Sequence, residues 1–226
     1  MKYLLVVAHP DDEVLGAGAT IHKLTQSGNS VDVCIMCSDA AARAFRPSDS
    51  ELKGDMTVSL NMLGVTKRYE GTFPNIKMNT VDHLLLVQFI EKAIAESCPD
   101  IIITHHAADT NNDHLHTSLA CQAAARLFQR RPEMPPLKEL WFMEVPSSTD
   151  WNTNTAMHRF TPNTYIEVGK AGVEAKIKAL SAYRGVMRPF PHPRSEEAIV
   201  GLAAHRGGES GCFYAEAFEC VLRRIV

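Results

Sequence analysis

The sequence has no apolar run long enough to cross a bilayer, which takes about 18 consecutive residues. Its apolar runs, such as Tyr3–Val7 and Ile101–Ile103, stop after a few residues. Residues 2–8 are too short for the apolar core of a secretory leader and run straight into His9. The expected compartment is therefore the cytoplasm, with no membrane insertion. Nor is there an excess of one charge: 23 Lys and Arg stand against 26 Asp and Glu, a net charge of -3. Nothing in that balance would draw nucleic acid or a polybasic membrane contact. No G-x-G-x-x-G follows the first strand, so a dinucleotide site is not expected. The six cysteines are scattered and mostly lie inside apolar segments. Cys34 and Cys37 have redox spacing but sit within a strand, which reads as a reduced, buried pair. There is no internal repeat, low-complexity tract or linker.

What is present is an alternation of short apolar strands and helices. Strands are expected at Lys2–Ala8, Val31–Cys37, Lys67–Thr72, Ile101–Thr104, Leu137–Val145 and Thr164–Val168. Helices are expected at Gly16–Gln26, Glu51–Leu63, Thr80–Cys98, His114–Arg130, Val173–Tyr183 and Ser195–His205, the last ended by Arg206-Gly207-Gly208. Tyr214–Arg223 fits a strand or a helix equally. Short, fully apolar strands separated by helices indicate an α/β fold: a Rossmann-like three-layer sandwich with a mostly parallel sheet covered by helices on both faces. At 226 residues the chain is long enough for one domain with a full core. Residues 184–226 are expected to be an extension of that domain that helps close its active site.

In such a sheet, ligands bind beyond the carboxyl ends of the strands. The first strand ends in Ala8-His9-Pro10-Asp11-Asp12-Glu13. Three carboxylates and an imidazole within five residues are costly unless a cation compensates them. A catalytic zinc takes three protein ligands and keeps one position for water. His9 and Asp12, three apart across a turn, supply two. The third is expected from Asp109-Thr110-Asn111-Asn112-Asp113-His114-Leu115-His116, past another strand end. His114 is preferred because it opens the helix at that edge, while His116 lies about 200° further round. Fe2+ or Co2+ would suit the same ligands. Asp11, beside a ligand, is the expected general base. Glu13 is expected to support the ligands or to contact substrate. Asp113 is placed at the same site, either orienting an imidazole or facing substrate.

The paired motifs at Ala8–Glu13 and Asp109–His114 resemble those of the PIG-L/LmbE-like de-N-acetylases. His192-Pro193-Arg194-Ser195, Arg206-Gly207 and Tyr214–Phe218 are similar to a bacterial branch of that family. The resemblance implies a zinc-dependent hydrolase removing acetyl from an N-acetylglucosamine-type group on a larger conjugate. Carried over by motif, His9, Asp12 and His114 would be zinc ligands and Asp11 the base. The pattern departs from the family at two places. Many relatives carry His where Asn111 stands, and that His helps stabilise the oxyanion, so the role passes to Asn111 or to His192. Relatives often carry Asp where Asn75 stands, after the third strand, to bind sugar hydroxyls. Arg43 and Arg46 lie where relatives place a substrate-binding Arg, with Arg46 preferred, and Arg194 adds a second basic contact. The implied partner is a small-molecule amino-sugar conjugate, and a homo-oligomer is compatible with it. Two other readings share these residues: a metal-dependent amidase on a non-sugar N-acyl compound, and a non-catalytic sugar-binding module with a structural metal.

Overall fold

Seven strands form one sheet in the computed structural model, which describes residues 1–39, 47–153 and 156–225. In chain order the elements are β1 (Lys2–Val7), α1 (Asp12–Gln26), β2 (Ser30–Ile35), α2 (Asp49–Leu63), β3 (Lys67–Glu70), α3 (His83–Ser97) and β4 (Ile101–His105). They continue with α4 (Asn112–Ala124), the short α5 (Leu127–Arg130), β5 (Glu139–Met143), β6 (Thr164–Glu167), α6 (Gly169–Ala182), α7 (Glu196–Ser210) and β7 (Ala215–Arg223). The sheet order is β3-β2-β1-β4-β5-β7-β6. The first five strands are parallel, and β7 pairs antiparallel with both β5 and β6.

The two faces of the sheet explain why its central strands are apolar throughout. Leu5 and Val7 of β1 face a core shared with α1, α2 and α6, whereas Leu4 and Val6 face a core shared with α3 and α4. A strand buried on both sides cannot alternate apolar with polar residues. Strand order reverses between the parallel neighbours β1 and β4, with β2 and β3 added on one side and β5 on the other, so their carboxyl ends flank the crevice where α/β sheets bind ligands. The sequence placed its two acidic and imidazole clusters at those two ends. Cys34 and Cys37 are buried free thiols, and burial pushes the Cys37 thiol up to about 11.

Several boundaries differ from expectation. α1 starts at Asp12, four residues early, so the acidic cluster forms its first turn. α7 does not stop at Gly207-Gly208 but runs to Ser210 and ends on Gly211 at φ 79°. Gly207 serves packing rather than termination: a Cβ there would lie 2.6 Å from the Phe213 carbonyl oxygen. The last segment resolves to strand β7, inserted between β5 and β6, and Arg194 of the preceding loop reaches the crevice.

α1 breaks its helical geometry at Ala17, with φ −146° and ψ 18°. Such a kink frees backbone groups that must find other partners. Lys176 of α6 donates to the Leu15 carbonyl at 2.7 Å, and Glu216 of β7 accepts from the Thr20 N–H at 2.7 Å and the Ala19 N–H at 3.3 Å. The two side chains pair with each other at 2.6 Å, both nearly buried. This ion pair mends the kink and ties α1 to the C-terminal part of the sheet. Removing one partner strands a buried charge, which costs about 3–5 kcal/mol. Lys176→Met is therefore expected to lower stability by about 3 kcal/mol, read as a drop in the urea midpoint with unchanged slope.

Candidate metal centre

β1 delivers the chain into the crevice and turns sharply at Asp11, whose φ of 101° is unusual for a residue with a Cβ. The side chain two residues on accounts for that conformation. Glu13 accepts the Asp11 N–H at 3.1 Å, and Tyr183, at the end of α6, donates to its other oxygen at 2.6 Å. Glu13 is fully buried, and burial pushes its carboxyl up to about 8. It therefore supports Asp11 from beneath rather than meeting a substrate.

The turn brings His9 and Asp12 together with His114 of α4, and all three are buried. Asp12 Oδ2 lies 3.3 Å from His9 Nδ1 and 3.1 Å from His114 Nε2. Each imidazole has its other nitrogen engaged by a second carboxylate. His9 Nε2 meets Asp113 at 2.9 Å, and His114 Nδ1 meets Asp109 at 3.0 Å. Carboxylates behind the rings fix their rotation and aim the remaining nitrogens at one point, the usual support of a metal-bound histidine. Asp113 is itself held by the N–H groups of Ile76 (2.5 Å) and Met78 (3.0 Å). Asp109 accepts from the hydroxyls of Ser148 and Thr149.

Charge follows from this geometry. Burial opposes a charged His114, but Asp12 and Asp109 outweigh it and raise its pKa to about 10. Burial also opposes a charged His9, and the bonds to Asp113 and Asp12 again prevail and raise it. Asp12 is held well below the carboxylate range by the same imidazoles, against burial. His105 goes the other way. Burial and the charge on His114 bring it down to about 3, and its Nε2 accepts the Ala8 N–H at 2.9 Å. It stacks on His114 with ring centroids 3.9 Å apart, a neutral wall behind the site.

Two imidazoles and one carboxylate around a common point match a catalytic zinc's donor set and suit Fe2+ or Co2+ as well. The ligand trio opens on a cleft of about 150 Å3, lined also by Asp11, Asn75, Ile76, Asn111 and Arg194. His105, Asp109 and His114 form a second such trio. His105 and Asp109 do not line the cleft: His105 Nε2 accepts from Ala8, and both Asp109 oxygens accept from Ser148 and Thr149. The first trio is the one a metal could reach.

The structure gathers most of the residues expected at the site and redistributes some. His9, Asp11, Asp12, Asn75, Asn111, His114 and Arg194 share the cleft. Asn111 caps α4 through its side-chain oxygen, which accepts the Asp113 N–H. His116 is half-buried on α4 and not part of the lining, as the helical spacing requires. Two expectations are corrected. Asp113 and Glu13 are fully buried supports, of His9 and of Asp11, rather than substrate contacts. His192 is exposed, accepts the Arg194 N–H on Nδ1, and does not line the cleft. Arg194 reaches the cleft instead, 3.6 Å from Asp11 and anchored on Ser147 at 2.9 Å. Arg43 and Arg46 lie outside the described residues. Sequence reasoning passed over Ser147–Thr149 and Tyr183, which are ordinary loop and helix-end residues until the fold sets them beside Arg194, Asp109 and Glu13.

Two outcomes follow for the metal-free protein. With its pKa raised to about 10, His114 holds a proton at neutral pH, and a metal needs the bare nitrogen. Zinc titrated into chelator-treated protein is expected to release at least one proton, seen by calorimetry in buffers of different ionisation heat, and to bind more tightly as pH rises. The His114 ion pairs contribute stability in full below the unfolded value of 6.5, and that contribution fades as pH climbs to about 10. The metal-free melting temperature should fall across that window. Asp113→Asn is expected to weaken zinc binding by about 10- to 100-fold, measured by competition with a chelating dye.

Known structures share this architecture. The N,N'-diacetylchitobiose deacetylase of Pyrococcus horikoshii is 19% identical, with 97% of this chain and 83% of that one covered and a TM-score of 0.77. The 4-carboxy-2-hydroxymuconate hydratase GalB of Pseudomonas putida KT2440 is 18% identical over 100% and 98% of the two chains, at 0.76. A zinc-inhibited form of the teicoplanin deacetylase Orf2 is 17% identical over 99% of each, at 0.75. At such identities the likeness is one of fold, and a fold shared by deacetylases and a hydratase does not choose the chemistry. Sequence does more: residues 4–125, which carry both motifs and every candidate ligand, match a family described as PIG-L, GlcNAc-PI de-N-acetylase. The chain belongs to the PIG-L family.

Proposed function

We propose that the protein is a metal-dependent N-deacetylase that removes the acetyl group from an N-acetylglucosamine-type amino-sugar conjugate. The observation that carries this reading is Asp11: a carboxylate next to the ligand trio, in the same cleft, yet outside the trio. A hydrolase of this kind needs a proton acceptor within reach of the metal's open position, and the strained turn at Asp11 supplies one. Family membership supports the choice of an N-acetyl substrate.

His9, Asp12 and His114 would hold the ion, which when bound supplies Lewis acidity for the amide carbonyl and the attacking water. Asp11 takes the proton from that water and passes it to the departing amine. The side-chain oxygen of Asn111 is committed to capping α4, which leaves its NH2 group as a donor toward the cleft. That donor and the Arg194 cation stabilise the negative charge that develops on the carbonyl oxygen. Asn75 serves a sugar hydroxyl, and Arg46 remains the proposed contact from outside the described residues. A cleft of about 150 Å3 falls below the roughly 300 Å3 from which ligand pockets start, too little for a whole conjugate. A neighbouring groove of about 280 Å3, lined by Pro146, Pro191, Pro193 and Leu202, leaves room for the group the sugar carries.

The test is acetate release from a panel of N-acetylglucosamine conjugates and of N-acetyl amino acids, with and without chelator. Chelator-sensitive release confined to the sugars supports the proposal, and release confined to the amino acids replaces it with a non-sugar amidase. Asp11→Asn is expected to lose activity by about 10²-fold or more while elemental analysis still finds one metal per chain. Loss of metal in that variant would make Asp11 a ligand and remove the base from the mechanism.

A further inference from the structure

Ile76 is out of place in two respects. Among the described residues that line the cleft it is the one apolar side chain. It also sits at φ 57°, in the left-handed region that β-branched residues avoid most. The backbone conformation has a cause: the Ile76 and Met78 N–H groups both donate to Asp113, the carboxylate that orients His9. Those bonds explain the turn but not the side chain. Glycine or asparagine would make the same bonds without crowding. Nor does burial compensate, since Ile76 is 45% exposed. An isoleucine kept in a strained position, with its side chain at the cleft rather than in the core, points to a contact made only when the cleft is filled.

We propose that Ile76 determines acyl-group specificity: its side chain is the wall against which the methyl of the acetyl group packs. This rests on reading the cleft as a deacylase site. The acyl carbon must lie at the ligand trio, and the methyl is bonded directly to that carbon. Ile76 is tied to the trio through Asp113 alone, one hydrogen bond from Ile76 and one from His9. The remaining lining offers only polar groups, which suit hydroxyls and the amide rather than a methyl. The wall also closes a small space, so longer acyl chains collide with it.

Ile76→Gly and Ile76→Asn keep the backbone hydrogen bonds and relieve the crowding, so both variants are expected to fold, checked by circular dichroism. On N-acetyl-, N-propionyl- and N-butyrylglucosamine the parent is expected to lose about tenfold or more in kcat/KM from acetyl to butyryl, and both variants to flatten that series. A binding arm needs no turnover: acetate and butyrate are titrated into zinc-loaded protein by calorimetry. The parent should bind acetate in preference to butyrate, and the glycine variant should bind both. If no acylated glucosamine is turned over by the parent, the sugar reading fails and the carboxylate arm still decides the wall. Equal binding of acetate and butyrate by the parent, or no acetate binding at all, overturns the proposal. So does an unchanged acyl series in both variants with a raised KM for every sugar, which would set Ile76 against the sugar ring.

Discussion

Everything at this site depends on one buried carboxylate. Asp12 is 2% exposed, yet its Oδ2 has imidazole nitrogens of His9, His105 and His114 within 3.6 Å and accepts the His9 backbone N–H. An ionised carboxylate in such a place is tolerable only if positive charge is brought to it. The protonated His114 supplies that charge in the metal-free protein, and a divalent cation would supply it otherwise. The supporting carboxylates Asp109 and Asp113 follow from the same need, because each ring must be neutral or charged as its partner requires. The site is thus a layered arrangement of alternating charge, anchored at the ends of β1 and β4.

The scaffold meets that need by bringing five distant segments to one crevice. Parallel strands β1 and β4 deliver the ligands, and the turn after β3 delivers Asn75, Ile76 and the N–H groups that hold Asp113. The segment after β5 delivers Ser148 and Thr149 to Asp109, and the loop before α7 delivers Arg194. Lys176 and Glu216 sit far from the chemistry in sequence, but they steady the helix whose first turn carries Asp12. Stability of the C-terminal part and geometry of the N-terminal ligands are therefore linked through the α1 kink.

How much of this could be read from the sequence depended on how local the cause was. The sheet and its helices were legible because apolar runs and their punctuation are local. The candidate ligand trio was legible because His9 and Asp12 are three residues apart and His114 opens a helix at the neighbouring strand end. His114 rather than His116 followed from helical angle alone, and the cleft lining agrees. Glu13 and Asp113 were found with two roles open, support of the site or contact with substrate: their types suit either, and only their burial shows that they face inward. His192 drew attention by its flanking prolines, whereas the useful side chain of that loop is Arg194, two residues on. Ser148, Thr149 and Tyr183 carry no local signal, since their partners lie 34 to 170 residues away. Ile76 reads as an ordinary apolar residue until its backbone angle is known.

The position of β7 has a bearing on how the chain is made. The last strand in sequence lies inside the sheet, between β5 and β6. During synthesis β5 can join β4 as soon as it emerges, but its other edge stays open, and β6 has no neighbour, until residues 215–223 leave the ribosome. An open edge beside Trp141 and Phe142 is a ready template for pairing with another nascent chain. The same delay withholds Glu216 from the α1 kink, so the first helix of the site is completed by the last strand. Truncated or stalled products would consequently hold every candidate ligand and still lack the frame that keeps those side chains in register.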